Sequence, residues 1–298
     1  MDNTLTLVAP EPDALTDAIV AEAARALNGL GAETGAADWL ARGEAADIAF
    51  AGAAAGAAEA AVRDALGDAA IDLLAQPGEG RRKRLFLADM DATIVTSETL
   101  DDLAAHVGLK DHIAAITQRA MNGELEFEAA IKERVGLLEG LAETALQETY
   151  DEIEYTGGAK ALVRTMAANG THCVLVSGGF RFFTSRVAQA CGFHEDHANQ
   201  FVIEDGRLTG RVVEPILDKN SKLGTLRRLR RELNLAAHET MAIGDGANDL
   251  PMIQAAGLGV AFRGKPSVAA QAPARVDHAD LRAMLFYQGY RAAEFAAG

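Results

Sequence analysis

The sequence contains little cysteine, few aromatic residues and fewer basic than acidic side chains. Only 2 cysteines occur among 298 residues, so neither a disulfide framework nor a cysteine-based zinc site is expected. The formal net charge of −15 argues against partners that are held by positive charge, namely nucleic acid and anionic membrane surfaces. A small anionic substrate is compatible with it, because a locally basic pocket can exist in an acidic protein.

Two further absences bear on where the protein acts. No apolar run is long enough to cross a bilayer, and the Ala-rich stretch 51–61 is interrupted by Gly56 and Glu59. The first residues lack the basic segment and apolar stretch of a signal peptide. We therefore expect a cytoplasmic protein with neither a membrane nor a nucleic-acid partner. The oligomeric state stays open, with a homodimer as one alternative.

The first 80 residues predict a small α+β unit. A helix capped by Asp13 and ending near Leu27 is expected, followed later by a second Ala-rich helix. The predicted order β-α-β-β-α-β is that of a ferredoxin-like fold. The four strands are expected at 5–9, 33–40, 46–50 and 71–75, and the second helix at 54–66.

A linker and a basic run follow this unit. The composition of residues 76–80, Gln-Pro-Gly-Glu-Gly, is typical of a linker. The four basic residues 81–84 are interpreted as a solvated boundary and not as a binding patch. We therefore predict two domains, residues 1–80 and residues 81–298.

The second part predicts an α/β domain with a doubly wound parallel sheet. Short apolar runs typical of buried parallel strands alternate with helical patterns along this part of the chain. A long helical stretch interrupts the alternation just after the first strand, which predicts a helical cap at about 97–152. The strands are expected at 85–88, 173–176 and 240–243, the helices at 159–168, after 182 and at 222–233, and a hairpin at 201–203 and 211–213.

Four polar clusters follow these strands or open the helix after them. Because ligands of such sheets bind beyond the carboxyl ends of the strands, the clusters are expected to meet at one site. Each cluster alone has a structural explanation, such as a tight loop, a surface lysine or a calcium-type turn. Together they favour a functional site. The clusters are Asp89-Met90-Asp91-Ala92-Thr93, Ser177-Gly178-Gly179, Lys222 and Gly244-Asp245-Gly246-Ala247-Asn248-Asp249.

The residue types in these clusters fit phosphoryl transfer. Asp89 can attack phosphorus as a nucleophile, and Asp91 can act as general acid and then as general base. Mg²⁺ is expected on Asp89, Asp245 and the backbone carbonyl of Asp91, since hard oxygen ligands suit it. Ser177, the backbone near Gly178 and Gly179, and the ammonium of Lys222 can hold the phosphoryl oxygens.

In this order of motifs the sequence resembles the haloacid dehalogenase superfamily over roughly residues 85–290. Within it, the segments 89–104, 116–141, 174–180 and 242–261 are similar to the phosphoserine phosphatase family. The resemblance implies hydrolysis of O-phospho-L-serine to L-serine and phosphate through an aspartyl phosphate, the final step of serine biosynthesis. It also implies a core of the superfamily type with a cap. Ala92 and Gly157 depart from the residues common in that family, but neither carries a reacting group.

The resemblance further implies the roles of residues in and near the cap. Glu98 would hold the substrate's ammonium group, and Arg134 would pair with its carboxylate. The remaining implied contacts are Met121 and Phe127, which would shield the site, Asn248 beside the phosphate and Asp249 supporting the metal. The N-terminal unit resembles amino-acid-binding (ACT-like) modules, and whether it binds an amino acid stays open.

Two alternatives to this hydrolase remain. One is a phosphotransferase that passes the phosphoryl group to an acceptor such as homoserine, which product analysis with and without homoserine would distinguish. The other is a non-enzymatic phospho-acceptor sensor. The sensor is disfavoured because it gives Asp91 no role.

Overall fold

The structure is a computed structural model that describes residues 1–121, 124–217 and 219–297, except for the side chains of Met121 and Lys219. Its first part is a four-stranded antiparallel sheet in the order β2-β3-β1-β4, so the predicted β-α-β-β-α-β order is confirmed. The elements are β1 (Asn3–Val8), α1 (Asp17–Gly29), β2 (Glu33–Ala41), β3 (Ala45–Ala51), α2 (Ala55–Leu66) and β4 (Asp72–Pro77).

The central strand β1 is buried on both faces, which explains its composition. Leu5 and Leu7 pack with the apolar residues of α1 and α2. Thr6 and Val8 alternate with them and face the rest of the chain, where Val8 joins the main core.

The predicted cap of α1 is wrong. The helix begins after Thr16, whose hydroxyl accepts a hydrogen bond from the Ile19 amide at 3.3 Å. Asp13 lies in the preceding turn with a φ of 65°, a left-handed conformation that aspartate tolerates in turns but that cannot lead into a helix.

The second part contains a six-stranded parallel sheet in the order β12-β11-β10-β5-β6-β7. This confirms the predicted α/β class with a doubly wound parallel sheet. The strands are β5 (Leu85–Ala88), β6 (His172–Phe180), β7 (Glu195–Asn199), β10 (Thr240–Gly244), β11 (Leu258–Phe262) and β12 (Ala274–Val276). The helices around the sheet are α7 (Ala159–Ala168), α8 (Arg181–Cys191), α9 (Lys219–Glu232), α10 (Leu250–Ala255), α11 (Pro266–Ala269) and α12 (Ala283–Tyr287).

Four helices inserted after β5 form the cap: α3 (Thr99–Ala105), α4 (Lys110–Met121), α5 (Phe127–Gly136) and α6 (Thr144–Asp151). The chain enters and leaves this cap side by side, and Val95 forms an antiparallel bridge with Tyr155. The amides of Thr96 and Thr156 complete this neck through bonds of 3.0 Å to the carbonyls of Glu154 and Ile94.

A hairpin of β8 (Phe201–Glu204) and β9 (Arg207–Val212) is fastened to the cap. The Leu208 amide donates to the Leu141 carbonyl at 2.9 Å, and the Gly140 amide donates back to the Leu208 carbonyl at 2.8 Å. The predicted hairpin is confirmed, and Phe201 pairs with Val212, but its second strand begins at Arg207 and not at Arg211. Glu204 pairs with Arg207, because Asp205 and Gly206 form a two-residue turn with φ values of 49° and 72°.

The basic run 81–84 is not a uniformly solvated boundary, so that interpretation is wrong for two of its residues. The Arg81 side chain is 10% exposed and donates to Asp47 at 2.6 Å, to the Thr6 hydroxyl at 2.9 Å and to the Tyr287 carbonyl at 3.0 Å. Lys83 is also buried. Arg81 therefore joins the antiparallel sheet to α12, while the division into domains at residue 80 stays a prediction.

Among the described residues, we find no helix whose length and hydropathy would allow it to cross a bilayer.

Candidate active site

The predicted clusters meet at one edge of the parallel sheet. Strand β5 lies between β10 and β6, and each strand ends in or just before one of the polar clusters. Asp89 directly follows β5, Asp245 directly follows β10, and Ser177–Gly179 form the last part of β6. The apolar strands thus bury their own length and bring their polar ends together beneath the cap.

Three buried carboxylates surround one buried lysine. Asp89, Asp245 and Asp249 offer oxygen atoms that all lie within 4.8 Å of one another. The Lys222 ammonium contacts Asp89 Oδ1 at 2.7 Å and Asp249 Oδ1 at 2.5 Å. The side chain of Lys222 is 4% exposed, which argues against the alternative of a surface lysine. Lys222 was predicted to open a helix, and it lies in the first turn of α9, which begins at Lys219.

The charges in this pocket do not balance. Burial, and then repulsion from Asp249, raise the pKa of Asp89 well above its usual range, against the attraction of Lys222. Burial and Asp249 likewise raise the pKa of Asp245 to about 6. Burial disfavours the charged form of Lys222, but Asp249 and Asp89 outweigh it and raise the pKa of the ammonium. A pocket with three carboxylates and one ammonium therefore favours a further cation.

The carboxylate of Asp91 points away from this acidic trio. Its Oδ1 accepts bonds from the amide and hydroxyl of Thr99 at 2.9 and 2.8 Å, and its Oδ2 accepts from the Ser177 hydroxyl at 3.1 Å. Burial raises the pKa of Asp91, while the bonds from Thr99 and Ser177 oppose that shift. The Asp91 side chain is thus fixed by Thr99 and Ser177 and is not part of the carboxylate trio. The backbone carbonyl of Asp91 stays the predicted metal ligand.

The segment Ser177-Gly178-Gly179 at the end of β6 needs glycine for space and not for backbone conformation. A Cβ atom on Gly178 would lie 2.8 Å from the ring of Phe127, and one on Gly179 would lie 3.1 Å from Asp91 Oδ2. The Gly179 amide donates to the Ser177 hydroxyl at 2.8 Å. The ring of Phe127, at the start of α5, therefore lies directly against Gly178, and its shielding role stays a prediction.

Two charged side chains of the cap complete the site. Burial, followed by repulsion from Asp91 and Asp245, raises the pKa of Glu98 to about 8. Arg134 is half-buried, and burial lowers the pKa of its guanidinium while the charges of Asp101 and Glu98 oppose the shift. The charge of Glu98 thus acts on Arg134, and the charge of Asp91 acts on both.

The raised pKa of Glu98 predicts a pH-dependent cost to folding. The folded state binds the carboxyl proton of Glu98 more tightly than the unfolded state does. The stability that this proton contributes is therefore full below about pH 4.5 and is lost as pH rises to about 8. We expect Glu98→Gln to melt at a higher temperature than the unmodified protein in chelator, by a margin that grows over this window and then levels off. Thermal unfolding from pH 5 to 9 checks it, with Glu133→Gln on the exposed face of α5 as the control. A margin independent of pH would contradict the assignment.

Two residues at the site were not predicted. Asn199 is buried at the end of β7, donates to the Gly178 carbonyl at 2.9 Å and accepts from the Leu217 amide at 2.8 Å. Lys265 follows β11, its amide donates to the Asp245 carbonyl at 3.0 Å, and its charge acts on Glu98 and Asp245. Asn199 ends β7 and Lys265 follows β11, and neither strand was predicted, so the rule that located the other clusters was not applied to these two residues.

The structure gives less information on two other predicted contact residues, Asn248 and Met121. The side-chain oxygen of Asn248 lies against the backbone of Gly246, between Asp245 and Asp249 in the sequence. The side chain of Met121 lies outside the described residues. The structure thus brings together Asp89, Asp91, Glu98, Phe127, Arg134, Ser177, Gly178, Gly179, Lys222, Asp245 and Asn248 around the end of the sheet.

Known proteins resemble this chain both in sequence and in structure. Residues 86–254 match the family model described as haloacid dehalogenase-like hydrolase. The phosphoserine phosphatase of Archaeoglobus fulgidus is 42% identical over 197 residues, which cover 65% of this chain and 57% of that relative. With 53% of two other such relatives matched, the chain spans about half the length of the curated relatives it resembles.

Solved structures resemble both parts of the chain. A hydrolase of the same family from Salmonella enterica serovar Typhi superposes with a TM-score of 0.82 at 26% identity, covering 96% of this chain and 98% of that one. A structure described as a phospho-aspartyl intermediate analogue of phosphoserine phosphatase superposes with a TM-score of 0.65 at 34% identity, covering 69% of this chain and 99% of that one. The antiparallel sheet therefore lies within the first match, which spans nearly the whole chain.

Proposed function

This chain belongs to the haloacid dehalogenase-like hydrolases, and we propose that it hydrolyses O-phospho-L-serine to L-serine and phosphate, as the cytoplasmic last step of serine biosynthesis. One observation supports this substrate above others. The cap places a carboxylate, Glu98, and a guanidinium, Arg134, within electrostatic reach of Asp91 and of each other. An α-amino acid carries the opposite charges, an ammonium and a carboxylate, on one carbon atom, so it fits such a pair.

The donor set at the end of the sheet fits Mg²⁺. Asp89, Asp245 and the backbone carbonyl of Asp91 would hold it, with Asp249 supporting the pocket through its bonds to Lys222 and to the Gly246 amide. The imbalance of charge among these buried carboxylates is what a divalent cation would offset. When bound, the ion would supply positive charge that lets a carboxylate approach a phosphate dianion.

The chain's own residues then divide the reaction into two steps. Asp89 attacks phosphorus, the bond from phosphorus to the serine oxygen breaks, and that oxygen takes the proton of Asp91. Asp91 next takes a proton from water, the water oxygen attacks phosphorus, and the aspartyl phosphate on Asp89 is cleaved. Ser177, the amide of Gly178, Lys222 and Asn248 hold the phosphoryl oxygens throughout, while the Gly179 amide orients the Ser177 hydroxyl.

The roles of the two cap charges can be tested by comparing substrates. We expect Glu98→Gln and Arg134→Ala to lower kcat/KM on phosphoserine by about 10²-fold, since each leaves a charged group of the substrate facing a site without its partner. Both should change little on p-nitrophenyl phosphate, which lacks an amino-acid end. Phosphoethanolamine lacks only the carboxylate, so Arg134→Ala should not impair its already slow hydrolysis further. Steady-state kinetics on the three substrates measure this.

Lys132→Ala is the matched control, because Lys132 is an exposed cation on the same helix as Arg134. Cap closure excludes water from every substrate, so the ratio between substrates decides and not the absolute rate. An equal loss on all three substrates would refute amino-acid recognition and leave a phosphatase of general specificity.

A further inference from the structure

Arg134 is held in place by a hydrogen-bonded relay that joins three helices of the cap. Its Nη1 donates to the Thr117 hydroxyl on α4 at 2.9 Å, and its Nε donates to the Ala130 carbonyl on its own helix at 3.2 Å. Thr117 Oγ1 in turn lies 3.3 Å from Asp101 Oδ1 on α3. Thr117 and Asp101 are 7% and 9% exposed, so water does not replace these bonds.

We propose that Thr117 and Asp101 are positioning residues for Arg134, which set the substrate's carboxylate-binding geometry without touching the substrate. The proposal rests on the proposed function, in which Arg134 pairs with the carboxylate of phosphoserine. The two recorded bonds of the guanidinium use Nε and Nη1. The Nη2 group makes no bond among the described residues and is available to a ligand.

The hydroxyl of Thr117 also separates two opposite charges. Arg134 and Asp101 attract each other, yet they form no direct ion pair within the described chain, because the hydroxyl accepts from one and faces the other. A direct bidentate pair would use the same N–H groups that a substrate carboxylate needs. The relay therefore orients the guanidinium and keeps it from being occupied by the protein's own carboxylate.

The Thr117 hydroxyl has two possible acceptors for its proton, so its bond to Asp101 is the weaker one in the relay. Thr117 Oγ1 also lies 3.1 Å from the Ile113 carbonyl, and its single proton can serve either that carbonyl or Asp101. The bond from Arg134 to Thr117 is unaffected by this choice, since it uses a lone pair of the hydroxyl. Thr117 is therefore the member of the relay whose removal acts most directly on Arg134.

The test replaces the hydroxyl and keeps the shape. Thr117→Val is expected to lower kcat/KM on phosphoserine about tenfold, the scale of one lost hydrogen bond to a charged group, chiefly through KM. Hydrolysis of p-nitrophenyl phosphate and phosphoethanolamine should stay within about twofold of the unmodified protein. Thr117→Ser, which retains the hydroxyl, should recover most of the loss. Asp101→Asn should show the same dependence on substrate as Thr117→Val.

Combining the change with Arg134→Ala separates positioning from a structural role. Once Arg134 is absent, Thr117→Val should cost nothing further on phosphoserine, because two residues that act through one group are not additive. A tenfold loss that persists in the double variant, or an equal loss on all three substrates, would overturn the positioning role. If Arg134→Ala alone fails to distinguish the substrates, the proposed function fails first, and the two failures are thereby told apart.

Discussion

Asp89→Asn is expected to lower phosphoserine hydrolysis by roughly 10⁴-fold or more, the scale on which loss of a covalent nucleophile acts. The amide nearly matches the carboxylate in size but cannot attack phosphorus. Trapping with beryllium fluoride, which mimics a phosphoryl group on a carboxylate, should be lost at the same time. Substantial residual hydrolysis by the purified variant would exclude Asp89 as the nucleophile.

Asp89→Asn should not lower the thermal stability of the fold. A loss of activity can then be assigned to the missing nucleophile and not to unfolding. The pKa of Asp89 is raised by burial and by Asp249, so its ionised form opposes folding of the metal-free protein. Lys222 loses one partner on substitution but keeps Asp249. We therefore expect the variant to melt no lower than the unmodified protein in chelator, with Asp68→Asn on the surface as the control. A melting temperature several degrees lower would mean that lost activity reflects unfolding.

Asp91→Asn is expected to slow phosphoserine hydrolysis by roughly 10²- to 10⁴-fold, the usual worth of a general acid. The amide can keep the geometry of the site. Its oxygen can accept from Thr99, and its nitrogen can donate to the Ser177 hydroxyl, which now accepts. The variant should therefore still bind substrate and Mg²⁺ while lacking the proton that the serine oxygen needs.

The leaving group provides the internal check on this role. Nitrophenolate leaves without protonation, so p-nitrophenyl phosphate should lose much less rate than phosphoserine. Pre-steady-state measurement of phosphoserine cleavage, separate from release of phosphate, would show which of the two steps has slowed. An equal loss on both substrates would assign Asp91 a task other than proton transfer.

The position of the candidate site was predictable because local sequence determines most of it. Each apolar run of about four residues that ends in a polar cluster became a strand of the parallel sheet, and the sheet itself brought Asp89, Ser177 and Asp245 together. The same reasoning missed β7, whose residues are Glu-Asp-His-Ala-Asn. An edge strand of that composition shows no hydrophobic period, and pairing with β6 alone gives it its conformation.

Contacts between distant segments were the part that sequence could not provide. The relay from Arg134 to Asp101 depends on how three helices pack, and nothing in the spacing of 101, 117 and 134 indicates it. The interpretation of residues 81–84 as a solvated boundary was wrong for a related reason. Composition alone does not reveal that Arg81 finds five hydrogen-bond acceptors in segments that lie far from it in the sequence.

Arg81 makes the two parts of this chain structurally dependent on each other. All five bonds recorded for its guanidinium end on Asp47, Thr6 and the carbonyls of Phe286 and Tyr287, so both neighbouring segments are needed to satisfy one buried cation. A catalytic half excised just before Arg81 would lose Asp47 and Thr6 but keep both carbonyls, so the guanidinium would stay bonded while lacking the carboxylate that balances its charge.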